Sequence, residues 1–221
     1  MRFQMRCKGA IFDMDGLLFD TEKVFQETWQ ELAHENGVVL AGDFAREISG
    51  SSGEHMCKVV EKFFCVSDGS LLSEECMERV RKKLTENVPK KPGADEILQY
   101  FQREGIIIAV ASSSPRTQIE SNLKKAEVGK YIDIVVSGKE VAHGKPSPDI
   151  FLETVKQIGC TPQECYVFED SENGIKAGFA AGCRTIMVPD LFEPSDTVRS
   201  MCTGVYSSLG EAMENISLIL L

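Results

Sequence analysis

Short runs rich in Val and Ile, each stopping at polar or glycine residues and giving way to a helical pattern, limit most strongly how this chain can fold. Gly9-Ala10-Ile11-Phe12 stops at Asp13, and Ile106–Ala111 stops at Ser112. Tyr131–Val136 stops at Ser137, Tyr166-Val167-Phe168 at Glu169 and Asp170, and Thr185–Val188 at Pro189 and Asp190. Between them lie stretches with helical periodicity, at Ala94–Arg103, Arg116–Ala126, Asp149–Ile158 and Glu172–Ala181. Continuous apolar runs alternating with helices are the pattern of parallel strands buried on both faces, because each crossover helix covers one side of the sheet. The expected fold is α/β, a doubly wound, Rossmann-like parallel sheet.

One region interrupts the alternation. From about Thr21 to Val88 no strand pattern occurs, and Val24, Phe25, Thr28, Trp29 and Leu32 recur at the spacing of one helix face. Helical stretches follow near Asp43–Ile48, Glu54–Phe64 and Ser73–Thr85, broken by Gly50-Ser51-Ser52-Gly53 and Ser67-Asp68-Gly69. Pro89 and Pro92-Gly93 close the region. The expected organisation is a core domain of residues 1–20 and 89–221 carrying an inserted helical-bundle cap of residues 21–88. A chain of 221 residues suits one core domain with a smaller insert.

The net charge of −10, from 24 basic and 34 acidic residues, argues against nucleic acid or an anionic membrane as partner, since both demand a positive field. A small phosphorylated substrate is not excluded, because a metal ion and a few local cations can make one pocket positive. None of the eight cysteines forms a Cys-x-x-Cys pair, and several sit in apolar runs, as Cys165 does beside Tyr166 and Val167. That pattern fits free thiols packed as small apolar groups in a reducing compartment. The first six residues are basic but lead into no signal-type apolar stretch, and no run nears the ~18 apolar residues of a membrane span. The expected location is the cytoplasm, with a monomer as the simplest state.

Ligands of open parallel sheets bind beyond the carboxyl ends of the strands. Those ends collect Asp13 and Asp15, then Ser112, Ser113 and Ser114, then Glu169 and Asp170, while Lys145 precedes a helix and can bring a cation to the same rim. Each piece alone is an ordinary turn, cap or surface residue. Four acidic groups gathered at one rim, however, repel one another unless a cation holds them, and oxygen ligands suit Mg2+, which keeps waters and completes its octahedron with a substrate phosphate. Asp13, Asp15, Glu169 and Asp170 are therefore the candidate metal set. Lys145 and Ser112, with Ser113 beside it, can hold the remaining phosphate oxygens, leaving positioning and charge neutralisation to carry a phosphoryl transfer. Asp13 can attack phosphorus in line, while Asp15, two residues on, reaches the leaving oxygen as general acid and then activates water as general base.

The order of these groups, Asp13-Met14-Asp15-Gly16, Ser112, Lys145 and Glu169-Asp170, resembles the four-motif signature of the haloacid dehalogenase-like hydrolase superfamily. The helical insert after the first motif is similar to the small cap of the subgroup that holds β-phosphoglucomutase and many sugar phosphatases. The stretches His143–Phe151 and Val167–Gly174 are similar to pseudouridine-5′-phosphatases and bacterial sugar-phosphate phosphatases. The resemblance implies Asp13 as nucleophile and Asp15 as acid/base with its backbone carbonyl on the metal. It also implies Ser112 and Lys145 on the phosphate, and Asp170 on Mg2+ with Glu169 beside it.

Asp15 argues against dehalogenation and phosphonate hydrolysis, because the relatives that perform them lack this second aspartate. A mutase of the β-phosphoglucomutase type is the alternative to a phosphatase. The resemblance places a histidine near position 25 and an arginine near position 53 in such a mutase, and this chain has Phe25 and Gly53. A non-catalytic binding protein of this fold is expected to lose a charged member of the set, and none is lost. Arg116 is a candidate substrate contact and equally an exposed first-turn residue. Phe25 and Trp29 could face the pocket or pack in the cap core, and the linkers near Asp20-Thr21 and Pro89–Pro92 would be hinges. The expected function is Mg2+-dependent hydrolysis of a small phosphorylated metabolite, of the sugar-phosphate or nucleoside-monophosphate class.

Overall fold

The structure is a computed structural model that describes residues 7–49, 51 and 53–220. The basic first six residues, and Gly50 and Ser52 of the glycine-serine break, lie outside that set. The described chain divides into two compact units, one of Met1–Phe19 with Pro89–Leu221 and one of Asp20–Val88.

The first unit is built on β1 (Gly9–Phe12), β2 (Ile107–Ser112), β3 (Ile134–Ser137), β4 (Cys165–Glu169), β5 (Arg184–Met187) and a two-residue β6 (Gly204–Val205). All pairings are parallel and the order is β3-β2-β1-β4-β5-β6. Every residue of β1 and β4, the two central strands, is buried. That is why they read as unbroken apolar runs rather than as alternating ones. Phe12 and Phe168, register partners on these strands, stack at 4.5 Å with an interplanar angle of 8°, and Phe101 meets both edge-on. The chain winds from β1 outward to β3, then returns to the other side of β1 as β4. This reversal beside β1 is the switch point at which such sheets open a crevice.

The helices of this unit include α5 (Ala94–Arg103), α6 (Arg116–Lys125), α7 (Asp149–Ile158) and α8 (Glu172–Ala180), close to their expected bounds, followed by α9 (Asp196–Arg199) and α10 (Leu209–Leu220). One expected strand is shorter than its apolar run. Tyr131 belongs to a 3-10 turn, Gly129–Tyr131, and pairing starts only at Ile134. The reason lies in Asp133, whose carboxylate accepts from the Ile108 amide at 2.9 Å, while its own amide donates to the Ile108 carbonyl at 2.8 Å. β6, α9 and α10 were not expected from the sequence.

The second unit holds α1 (Thr21–Glu35), α2 (Phe44–Ile48), α3 (Gly53–Phe64) and α4 (Ser70–Glu86). The apolar stripe of α1 packs inward, with Thr28, Trp29 and Leu32 fully buried. Trp29 meets Phe25 and Phe44 edge-on at 6.0 and 5.8 Å, so both candidate pocket aromatics of α1 take part in the packing of this unit. Arg79 on α4 grips both oxygens of Glu35 on α1 at 2.7 Å. Among the described residues no helix is long and apolar enough to cross a membrane.

Candidate active site

Asp13 is the first residue beyond β1, and its amide still donates to the Phe168 carbonyl at 3.0 Å, so its backbone is fixed by the sheet. Asp13 and Met14 are buried and Asp15 is partly exposed. Met14 anchors the turn in the core, and its carbonyl accepts from the amides of Leu18 and Phe19. Gly16, at φ +88°, lets the chain reverse, and its amide donates to the Phe19 carbonyl at 2.9 Å. A methyl group at this position would lie 2.4 Å from Oδ2 of Asp170, so glycine is required both by the left-handed backbone and by the carboxylate beside it.

Lys145 lies in the loop before α7, and its ammonium is almost wholly enclosed. It donates to Oδ1 of Asp13, to Oε1 of Glu169 at 2.6 Å and to the Ala111 carbonyl at 3.1 Å, with the Phe151 ring 5.2 Å below. The loop is clamped by Asp149, which accepts from the His143 amide at 3.1 Å and the Ser147 hydroxyl at 2.6 Å. Glu169, the last residue of β4, is fully buried. Its second oxygen accepts from the Ser171 hydroxyl at 3.0 Å and the Ser171 amide at 3.3 Å. Both its oxygens thus accept from donors of the polypeptide, one from Lys145 and the other from Ser171.

The charges do not balance. Burial lowers the tendency of Lys145 to stay protonated, but Asp13 and Glu169 outweigh it and hold the amine above its ordinary range. Burial pushes Asp13 up to about 7 against the pull of Lys145, with Glu169 and Asp15 adding to the rise. Asp170 is raised well above the usual carboxylate range, by burial first and then by Glu169 and Asp13. Two upward-shifted carboxylates beside one ammonium mark a surplus of negative charge. Lys145 pulls Asp13 part of the way back toward the carboxylate form, and a further cation would relieve the remainder.

The residues fit a divalent cation on this ground. Among the described residues no group of three His, Cys, Asp or Glu side chains converges as a metal site. The protein side chains on offer are the carboxylates of Asp13 and Asp170, which leave positions for backbone oxygen, water and substrate. That is the donor set of Mg2+ rather than of zinc.

Ser112 ends β2, buried, with its hydroxyl 3.5 Å from Oδ2 of Asp15 and accepting from the Ser114 amide at 3.1 Å. Ser114 holds the same Asp15 oxygen more closely, at 2.8 Å. The Ser114 carbonyl is in turn fixed by the Ser137 hydroxyl at 2.6 Å. The sequence places Ser114 in the hydroxyl group at this strand end without giving it a partner. Its approach to Asp15 spans ninety-nine positions and leaves no local signal. Ser113 is exposed. Arg116 does not reach into this cluster: it donates to both oxygens of Glu140 at 2.6 and 2.7 Å and to the Val135 carbonyl at 2.8 Å. These bonds place the Arg116 guanidinium on the flank of edge strand β3.

The chain matches the haloacid dehalogenase-like hydrolase family over residues 10–188. It is 31% identical over 200 residues to hexitol phosphatase A of Escherichia coli, covering 88% of each chain. It is 29% identical over 180 residues to the phosphorylated carbohydrates phosphatase of Thermotoga maritima, covering 81% of this chain and 83% of that one. Among solved structures, a HAD family hydrolase from Deinococcus radiodurans with bound phosphate and sodium superposes with a TM-score of 0.84 at 24% identity, covering 97% of each chain.

Proposed function

The chain belongs to the haloacid dehalogenase-like hydrolase family and is a phosphoric monoester hydrolase, and we propose that it cleaves a small phosphorylated carbohydrate or nucleoside through a phosphoryl intermediate on Asp13. The observation that carries this reading is the convergence of Asp13, Lys145 and Glu169 beside the Asp15–Ser114 pair at one sheet edge. The names of the two phosphatase relatives support the carbohydrate class.

The Asp13 carboxylate attacks phosphorus, the bond to the leaving oxygen breaks, and Asp15 delivers its proton to that oxygen. A water then loses its proton to Asp15 and attacks the phosphoryl group on Asp13, which releases phosphate and restores both carboxyl groups. Lys145 neutralises the phosphoryl oxygens and Ser112 donates to one of them. Ser114 keeps Asp15 aimed across the crevice. Mg2+, held by Asp13, Asp170 and the Asp15 carbonyl, supplies charge neutralisation when bound. Glu169 orients Lys145. The helical unit Asp20–Val88 acts as a cap that selects the leaving group, hinged at its two linkers. The chain works in the cytoplasm as a monomer, a setting in keeping with its free thiols.

Hydrolysis is favoured over mutase chemistry by the cap residues. Phe25 packs edge-on against Trp29, and Gly53 opens α3 at φ +57° with no side chain to grip a second phosphate. The test is a phosphate-release screen across hexose, polyol and nucleoside phosphates, with Mg2+ and with chelator, using Asp13→Asn as control. Release that needs Mg2+ and disappears in Asp13→Asn is expected. Release untouched by that substitution would sink the mechanism, and sugar-phosphate interconversion without release would establish the mutase instead.

A further inference from the structure

Asp190, three residues beyond Met187 at the end of β5, has no part in the chemistry above, yet it is built into the same rim. Its side chain is only 9% exposed. One oxygen, Oδ1, accepts from the ammonium of Lys91. The other, Oδ2, is buried and has no hydrogen-bond partner among the described residues. A buried carboxylate oxygen without a donor is costly, so a partner absent from the polypeptide is to be expected there.

The surroundings identify the partner's chemistry. A methyl group built on Gly16 would lie 2.4 Å from Oδ2 of Asp170 and 3.4 Å from Oδ2 of Asp190, so both carboxylates reach toward one point beside the Asp13–Gly16 turn. The Val188 amide donates to the Glu169 carbonyl at 2.8 Å, which carries the sheet pairing of β4 to the edge of this loop. On the far side, the Lys91 amide donates to the Leu18 carbonyl at 2.9 Å, and Lys90 bridges to Phe19. The catalytic turn is therefore held between the segment that carries Asp190 and the segment that carries Lys91, with their ion pair linking the two. Two acidic oxygens facing one point call for a donor between them, and the polypeptide provides none to Oδ2 of Asp190.

We propose that Asp190 is an outer-sphere positioning residue: its Oδ2 accepts a hydrogen bond from a water bound to the cation held by Asp170, while Lys91 fixes its orientation through Oδ1. The inference rests on the Mg2+-dependent reading of the site. Mg2+ dehydrates reluctantly and retains several waters, and carboxylates that hold such waters orient the metal without touching it. Lys91 also keeps the added carboxylate from raising the charge of the rim, since each brings one unit of opposite sign.

The test measures metal affinity rather than turnover. Titration of the full chain with Mg2+ by calorimetry, and with Mn2+ by electron paramagnetic resonance, gives dissociation constants for the parent, Asp190→Asn, Asp190→Ala and Lys91→Met. The melting temperature of each in chelator reports folding separately. Weakening of Mg2+ binding by about 10-fold or more in both Asp190 variants, and a smaller loss in Lys91→Met, is expected, with melting in chelator unchanged or raised. Unchanged dissociation constants in the Asp190 variants would overturn the proposal while leaving the phosphatase reading intact. Failure of both Asp190 variants to fold would assign the residue a structural role and overturn it as well. A parent chain that binds no Mg2+ and releases no phosphate would instead refute the reading of the site on which the inference rests.

Discussion

At the scale of single residues, the site is defined by an excess of carboxylate over ammonium, and that excess gives a signed prediction. In the metal-free protein Asp13 is raised to about 7, from an ordinary value of 3.8, and Asp170 moves in the same direction. Between those values the folded chain holds protons that the unfolded chain has released. The stabilisation is complete below the unfolded pKa and is lost as the pH rises through about 7. Glu164 and Glu172, lowered to about 2 by their partners Lys8 and Ser195, act only below their ordinary value of 4.5, outside that window. The melting temperature in chelator is therefore expected to fall between pH 5 and pH 8. Saturating Mg2+ should raise it more at pH 8 than at pH 5.5, where protons compete for the same oxygens. Calorimetric melts at the two pH values check this, and an equal Mg2+ increment at both would contradict it.

Residue by residue, the chemistry-bearing groups were legible because each follows an apolar run and interrupts it. Asp13, Ser112 and Glu169 could be read without knowing the strand order. Ser114 and Asp190 could not, since their significance lies in contacts across the sheet edge, with Asp15 and with the pocket of Asp170 beside Gly16. Arg116 shows the converse. Its place after Ser114 and Pro115 suggested a substrate contact, whereas Glu140, twenty-four positions on, decides where the guanidinium goes.

At the scale of elements, the fit of α8 against β4 fixes Glu169. The Ser171 hydroxyl caps α8 by accepting from the Gly174 amide at 3.1 Å, and the same hydroxyl donates to Glu169. A methyl group on Gly174 would lie 1.8 Å from Cδ of Glu169, so the helix can approach the strand only with glycine there. Gly174→Ala must displace either the helix or the carboxylate, and overpacking of this kind costs about 1–3 kcal/mol. Gly178, one turn later, offers a control. A methyl group there meets Thr185 and Val167 side chains, at 2.8 and 3.1 Å, away from Lys145 and Asp13. Both variants are expected to lower the urea midpoint, but only Gly174→Ala should also reduce kcat, by at least about 10-fold, on the order of 1.4 kcal/mol in barrier. Equal kcat in the two variants would remove Glu169 from the orientation of Lys145. Elements with strong apolar periodicity were legible in the sequence to within a residue or two. The two-residue β6 offered no run to read, and the strand expected from Tyr131 was curtailed by the Asp133 side chain, which competes for the backbone donors of β2.

At the scale of the molecule, the helical unit and the sheet unit each pack around apolar clusters of their own. The core of the helical unit gathers Trp29, Leu32, Phe44, Val60, Phe64 and Leu84, while that of the sheet unit includes Ile11, Ala109, Phe151 and Val167. Truncating Leu32, which is fully buried, to alanine removes packing from the helical unit alone and costs about 2–5 kcal/mol there. Sites far apart and without shared partners respond independently, so β2 and β4 should keep their protection. Amide hydrogen exchange on Leu32→Ala is therefore expected to rise across residues 21–86 and to stay at parent level in residues 107–112 and 165–169. If the helical unit selects the leaving group, the same variant should lose most of its activity on a hexitol phosphate. It should retain a larger share on an aryl phosphate, whose good leaving group asks little of the cap. Loss in equal proportion on both substrates, with exchange in β2 and β4 unchanged, would show that the helical unit contributes to the chemical step itself, and would move part of the active site out of the sheet edge that carries Asp13.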